Sequence, residues 1–402
     1  MSPPTAPAPQ LALDHAQSWP RRVLMTADAV GGVWPYALDL AHGFARRGIE
    51  TLLAVMGEPP SPDQKAAAMA IPRLQVEAAA FALEWTAGAA AEIDEAGRWL
   101  QALARDYGPD LIHLNGYAHA AQPWPAPVVV AAHSCVRTWW RAVHGEDPPP
   151  EWEEYNGRVR SGLNAADLVI APTRAFLAAL VEAHGWLEAK RVVTNGRREP
   201  AVAGGKAGKQ PVILCAARLW DEAKNVATLD AAAGEVPWPV YVAGRRTRPE
   251  GGGVNGFTNV RPLGPLGDAG LRGWFDRAQI FVSPALYEPF GLAVLEAAQS
   301  RCALVLADIP TFRELWDGAA VFVPPRDDRA LARTLNELAD DPDAARWLGG
   351  RAAERARQYG VDAMIGGTLE AYSAAATLRG RSSASSGRTI PRPAAAAVEA
   401  GP

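Results

Sequence analysis

Residues 283–297 read Ser-Pro-Ala-Leu-Tyr-Glu-Pro-Phe-Gly-Leu-Ala-Val-Leu-Glu-Ala. The apolar run at residues 280–282 just before them suits a buried strand. Pro284, Pro289 and Gly291 then interrupt the chain, and an apolar periodic stretch restarts as a helix near Gly291. A strand, a broken turn and a helix in that order are the repeating unit of a parallel α/β sheet. Free N–H groups around Phe290, Gly291 and Leu292 would present the positive end of the helix dipole. Glu288 lies just before this helix and Glu296 within it. Two carboxylates around an amide nest can accept hydrogen bonds from several hydroxyls, and a polyol carrying a phosphate matches that inventory. Two surface glutamates are the plainer alternative.

The same alternation extends in both directions. Upstream, strands are expected at residues 22–26, 50–56, 110–114, 128–133, 168–171 and 191–194, with helices at 34–47 and 89–107. Residues 201–210 (AVAGGKAGKQ) are small, glycine-rich and aperiodic, and read as a linker. Strands then resume at 212–216, 240–243, 280–282, 303–307 and 320–323. Parallel βαβ units on both sides of a linker predict two doubly wound, Rossmann-like domains, over residues 19–202 and 203–360, with the ligand cleft between them. Residues 1–18 are expected to be a flexible leader without signal-peptide character. Residues 380–402 are expected to be a disordered tail.

Composition excludes several classes. The 402 residues include 40 Lys+Arg and 44 Asp+Glu, a net charge of −4, with 49% apolar and 21% charged residues. These are globular values. Residues 1–200 hold 17 basic and 22 acidic side chains and the remainder 23 and 22, so neither half is a basic module and nucleic acid is not an expected partner. Cys135, Cys215 and Cys302 form no CxxC pair and no disulfide framework, which fits a reduced, cytoplasmic protein. No apolar run reaches the roughly 20 residues of a membrane span, so membrane contact is at most peripheral.

Four further segments carry chemistry. Asp28-Ala-Val-Gly-Gly-Val-Trp34 joins the first strand to the first helix, and Gly31 and Gly32 would let backbone N–H groups approach an anion. The GxGxxG dinucleotide fingerprint is missing, although Gly57-Glu58 follows the second strand where a ribose-binding acid could lie. His133 falls just past a buried strand, where it is either a hydroxyl contact or a satisfied core histidine; nothing near Cys135 would lower its pKa to make it a nucleophile. In Leu214-Cys-Ala-Ala-Arg-Leu-Trp-Asp-Glu-Ala-Lys-Asn225, a strand delivers Arg218 and, six residues later, Lys224. Cations converging there suit a diphosphate, while Asp221 and Glu222 offer them ordinary salt-bridge partners. The Trp139-Trp140 pair, with Trp152, borders an acidic, Pro-rich loop at 145–154, which could hold a substrate. Asp341-Pro-Asp343 spells a DxD but reads as a helix cap, not a metal site.

Together the segments ARLxxxxKN (Arg218, Lys224, Asn225) and EPFGLAVLE (Glu288, Glu296) resemble glycosyltransferase family 4, over residues 21–378. The Gly31-Gly32 loop, His133, Thr194-Asn-Gly196 and the stretch at 323–332 fall where that family's equivalents fall. The resemblance implies a GT-B fold of two Rossmann-like domains, with a final helix, residues 361–379, crossing back to the first domain. It implies a retaining, metal-independent glycosyltransferase using a UDP- or GDP-sugar, with no cofactor. Arg218 and Lys224 would neutralise the donor diphosphate and Glu296 would hold the ribose. Glu288 and the amides of Phe290, Gly291 and Leu292 would hold the donor sugar. His133 would contact that sugar and Gly32 would face the diphosphate. The chain departs from the family's pattern at Ala243-Gly-Arg-Arg-Thr-Arg248, where a GxGP-like turn is common, which leaves the base open.

The acceptor is open too: a saccharide, a lipid-linked glycan or a small molecule, in glycan, polysaccharide or glycoconjugate biosynthesis. A non-catalytic nucleotide-sugar sensor or partner subunit is the alternative from another class. A nicotinamide oxidoreductase lacks its fingerprint.

Overall fold

A computed structural model describes residues 19–86, 88–199, 208–248, 252–253 and 256–386, the last five by backbone alone. The expected leader, residues 200–207 of the linker region and the tail from residue 387 lie outside the described residues.

Thirteen strands are described. The first seven are β1 Arg22–Asp28, β2 Glu50–Met56, β3 Leu74–Ala79, β4 Leu111–Leu114, β5 Val128–Ala131, β6 Leu168–Ala171 and β7 Lys190–Val192. They form one sheet in the order β3-β2-β1-β4-β5-β6-β7. The others are β8 Gln210–Ala216, β9 Val240–Ala243, β10 Arg261–Gly264, β11 Ala278–Ser283, β12 Ala303–Ala307 and β13 Val321–Val323. They form a second sheet ordered β10-β9-β8-β11-β12-β13, and every pairing in both sheets is parallel. The expected pair of doubly wound sheets is therefore present.

Strand periodicity explains why the central strands read as unbroken apolar runs. Val23, Met25 and Ala27 of β1 enter one core layer, and Leu24 enters the layer on the other face. β8 divides likewise, Ile213 and Cys215 to one side and Val212 and Leu214 to the other. A parallel sheet covered by helices on both faces needs apolar residues of both parities.

Each strand order reverses once, beside β1 and β4 in the first sheet and beside β8 and β11 in the second. Ligands in open parallel sheets bind at the carboxyl ends of strands at such a reversal. β1 leads into Asp28–Gly32, β8 into Arg218 and β11 into Glu288. The segments singled out by sequence thus leave the two reversal points.

The last helix, Val361–Ser386, crosses back to the first domain, where Met364, Ile365, Leu369 and Tyr372 enter its core. It continues past residue 379 into the stretch expected to be a disordered tail. Arg379 anchors the helix at that boundary: its Nη2 donates to the Trp124 carbonyl at 2.7 Å, and its Nη1 pairs with Asp167 at 3.3 Å. Asp341 caps the helix Pro342–Ala356 by accepting from the Ala344 N–H, so the DxD segment is a helix start.

Candidate active site in the interdomain cleft

One cleft of about 2470 Å³ separates the sheets and is lined by Gly31, Gly32, His133, Arg218, Lys224, Glu288, Phe290, Gly291, Leu292 and Glu296. All the residues proposed from sequence therefore reach the same space.

The two walls nearly touch around the glycine loop. Gly31 has φ +83°, and a Cβ there would lie 3.5 Å from Arg218 Nη1 of the opposite domain. Arg218 Nη2 also pairs with Asp221 at 2.9 Å, so the salt bridge weighed from sequence exists alongside the cleft position. Burial disfavours charge on Asp221, but Lys224 and Arg218 outweigh it and hold its carboxyl below the usual range. Asp221 Oδ1 accepts from Trp139 Nε1 at 3.0 Å, which ties the aromatic loop of one domain to the cationic segment of the other.

Lys224 Nζ donates to Glu288 Oε2 at 2.8 Å, and the side chains are only 12% and 23% exposed. Glu288 stands before the helix Leu292–Gln299, whose first residue follows Gly291 at φ +89°, a conformation that favours glycine. No side chain caps this helix, so its leading N–H groups keep their donor capacity. A cation, a carboxylate and a helix N-terminus thus converge at one point of the cleft.

Glu296 is held by a residue that the sequence reading did not single out. Arg197, just past β7, donates from Nε to Glu296 at 2.6 Å and from Nη1 to Asp39 at 2.7 Å. The three side chains are 16%, 13% and 10% exposed. Burial raises the pKa of Glu296, and Arg197 opposes that rise. Arg197 sits in a loop that offers no periodic signal, and Asp39 lies inside the first helix, so only the folded geometry brings them together.

His133 belongs to a partly buried polar chain. Its Nε2 lies 2.8 Å from Asn115 Oδ1, which also receives His113 Nε2 at 3.1 Å. Asn115 Nδ2 donates to the Thr26 carbonyl at 2.6 Å, which orients its amide. An amide oxygen only accepts, so both imidazoles carry their proton on Nε2. His113 Nδ1 then accepts from Tyr372 OH at 2.8 Å, and His133 Nδ1 is left as an acceptor. Burial, and after it the neighbouring His113, pushes the pKa of His133 down to about 3, so it stays neutral. His133 is internally satisfied at one nitrogen, and it lines the cleft.

Asp28 ends β1 beside Arg218. Burial pushes its carboxyl up from an ordinary 3.8 to about 6, against the Val30 N–H and the Arg218 charge. A folded-state pKa above the unfolded value means that stability falls as pH rises between those values. Asp28→Asn should therefore raise the thermal midpoint at pH 7, with the gain vanishing below about pH 4, as calorimetry would read.

Glu58, the acid considered for a nicotinamide ribose, pairs with Arg245 at 3.1 Å. Cys135 is buried, caps the helix Val136–His144, and burial raises its thiol pKa. No described helix is long and apolar enough to cross a membrane.

Residues 30–197 match the family model described as Glycosyltransferase Family 4, and residues 210–341 match that described as Glycosyl transferases group 1. The two matches leave only the ends and the interdomain connection uncovered. The chain belongs to glycosyltransferase family 4. It is an enzyme of the glycosyl-transferring class. A relative of this family 4 glycosyltransferase, the D-inositol 3-phosphate glycosyltransferase of Streptomyces scabiei, is 27% identical over 305 residues, which cover 66% of this chain and 68% of the relative. Sucrose-phosphate synthase from Thermosynechococcus elongatus superposes with a TM-score of 0.71 at 18% identity, covering 90% of this chain and all of that one. The Anabaena protein Alr3699/HepE, solved with UDP and glucose, superposes at 0.66 and 18% identity, covering 87% and 98%. The family 4 enzyme thus has the GT-B fold.

Proposed function

We propose that this enzyme is a retaining, metal-independent glycosyltransferase that moves a sugar from a UDP- or GDP-sugar to an acceptor hydroxyl in glycan, polysaccharide or glycoconjugate biosynthesis. The observation that carries the reading is the convergence of Arg218, Lys224 and the uncapped start of the helix Leu292–Gln299 on the cleft. That is the equipment a leaving diphosphate requires. The names of the similar proteins, one of them solved with UDP and glucose, agree with it.

In this reading the bond from the sugar's anomeric carbon to the diphosphate breaks, and a bond to the acceptor oxygen forms on the same face. The acceptor proton passes to an oxygen of the leaving phosphate, so no protein nucleophile is needed. Arg218 and Lys224 take up the growing negative charge, the task a metal ion performs elsewhere. Gly32 allows the diphosphate to approach the backbone. Glu296, oriented by Arg197, accepts from the ribose hydroxyls. Glu288 and the amides of Phe290, Gly291 and Leu292 hold the donor sugar, and the free Nδ1 of His133 accepts a hydrogen bond from one of its hydroxyls.

Lys224 cannot serve phosphate and Glu288 equally. Donor binding draws the ammonium toward the diphosphate and frees Glu288 for the sugar. The test is product stereochemistry by proton NMR with chelator present. An α-linked donor should give an α-linked product at an unchanged rate. A β-linked product, or loss of activity in chelator, would contradict the reading.

A further inference from the structure

The first domain's side of the cleft is unlike the donor side. Among the described residues, no lysine or arginine before Arg197 lines it. Its charged groups up to that point are carboxylates, and burial holds His119 and His133 in their neutral form. Arg197 and Arg198 are both drawn to Asp39.

Around this acidic wall stand aromatic side chains. Trp85 and Trp152 line the cleft and pack against one apolar cluster of the first domain, and Trp152 meets Tyr155 edge-on at 6.0 Å. They are half-buried, with apolar support behind them and the cleft in front. Glu84 is set among them: its carboxylate accepts from the Tyr117 N–H at 2.9 Å and the Ala118 N–H at 2.8 Å. Asp28 is near enough for its charge to raise the Glu84 pKa further, after burial. Asp28 Oδ1 accepts from the Val30 N–H at 2.8 Å, and Oδ2 has no partner among the described residues. His119 is only 6% exposed, lines the same cleft, and its Nδ1 has no hydrogen-bond partner. A buried imidazole nitrogen without a partner is costly unless something else supplies one.

We propose that this wall selects an uncharged, hydroxyl-rich saccharide over a phosphorylated acceptor, seating it against Trp85 and Trp152 and holding it through its hydroxyls by Asp28, Glu84 and His119. The proposal rests on the transferase reading for its purpose, and it departs from the phosphorylated acceptor in the relatives' names. Carboxylates accept hydrogen bonds from hydroxyls, and aromatic faces pack on the apolar face of a sugar ring. A phosphate needs cations or amide donors, and beside Asp28 and Glu84 it would meet like charge. Asp28 also adjoins Arg218, so a hydroxyl bound there lies next to the donor's leaving group.

The test is saturation-transfer NMR on the purified protein with and without UDP. The probes are maltose, cellobiose and myo-inositol, set against glucose 6-phosphate and myo-inositol 1-phosphate. At least one neutral probe should bind, with the phosphorylated probes at least 10-fold weaker. Glu84→Gln and Asp28→Asn should each weaken that binding about 10-fold while the thermal midpoint reports folding. Glu84→Gln keeps one accepting oxygen for the Tyr117 and Ala118 amides; if it still unfolds, Asp28→Asn and Trp152→Phe carry the test. Equal or tighter binding of the phosphorylated probes, or no neutral probe bound in either state, overturns the proposal. Saccharide binding needs no donor. Saccharide binding without any nucleotide binding would therefore sink the transferase reading and leave the subsite standing.

Discussion

Lys224→Ala is expected to lower kcat/KM by on the order of 10²–10³, the cost of losing one preorganised donor to developing charge. Lys224 is 12% exposed and held within the cleft by Glu288, so its ammonium is already largely stripped of water before any donor draws it toward the diphosphate. Preorganisation is what makes such a group effective: no solvent must reorient as the phosphate leaves. The loss should fall mainly on kcat, because the diphosphate carries more charge in the transition state than in the ground state. Steady-state kinetics on the variant check this. A loss confined to KM would place Lys224 in ground-state binding only.

The second large effect is expected at Arg197, and it concerns stability first. Arg197→Met leaves Glu296 buried without its cation and Asp39 with Arg198 alone. Breaking a buried ionic cluster by removing one partner costs about 3–5 kcal/mol, which corresponds to a fall of roughly 6–20 °C in the midpoint of a domain this size. The deficit has a pH signature. Without Arg197 nothing opposes the burial that raises the Glu296 pKa, so its protonated form is favoured more strongly in the folded state and the variant regains stability as pH falls. Asp39→Asn in the same background should recover part of the loss. Calorimetry at pH 5 and pH 8 reads both outcomes. Glu296 also loses the group that orients it, so nucleotide affinity should fall in molecules that remain folded.

Much of the fold was legible because parallel sheets leave a simple trace. Buried strands such as β5 and β12 are continuous apolar runs, and the helices between the strands carry the other period. The edges left a weaker trace. β3 alternates exposed and half-buried residues, β10 reads Arg-Pro-Leu-Gly, and the short helix Pro62–Met69 buries only Ala68. None has the apolar density that marks a central element, and the sequence reading passed over all three. The last helix was expected to stop near residue 379, since the Ser-rich composition beyond it resembles a tail; Arg379 reaching Asp167 and Trp124 is a tertiary contact that no local pattern encodes.

The candidate site divides in the same way. Arg218, Lys224, Glu288 and Glu296 sit in short local motifs, and each leaves the carboxyl end of a strand or enters the following helix. Their supports come from elsewhere in the chain. Asn115 orients His133 from just past β4, Tyr372 reaches His113 from the last helix, and Arg197 reaches Glu296 from the end of the first domain. Glu84 depends on the amides of Tyr117 and Ala118, more than thirty residues away. Such partners are set by topology, and only a folded chain displays them.

The central claim is that the second domain's wall binds a nucleotide sugar. Thermal stabilisation by UDP-, GDP- and ADP-sugars, with chelator present, tests it most directly on the wild type beside Lys224→Ala. The account predicts a clear upward shift with a UDP- or GDP-sugar, lost or strongly reduced in the variant. No shift with any nucleotide sugar, or an equal shift in both proteins, would contradict it.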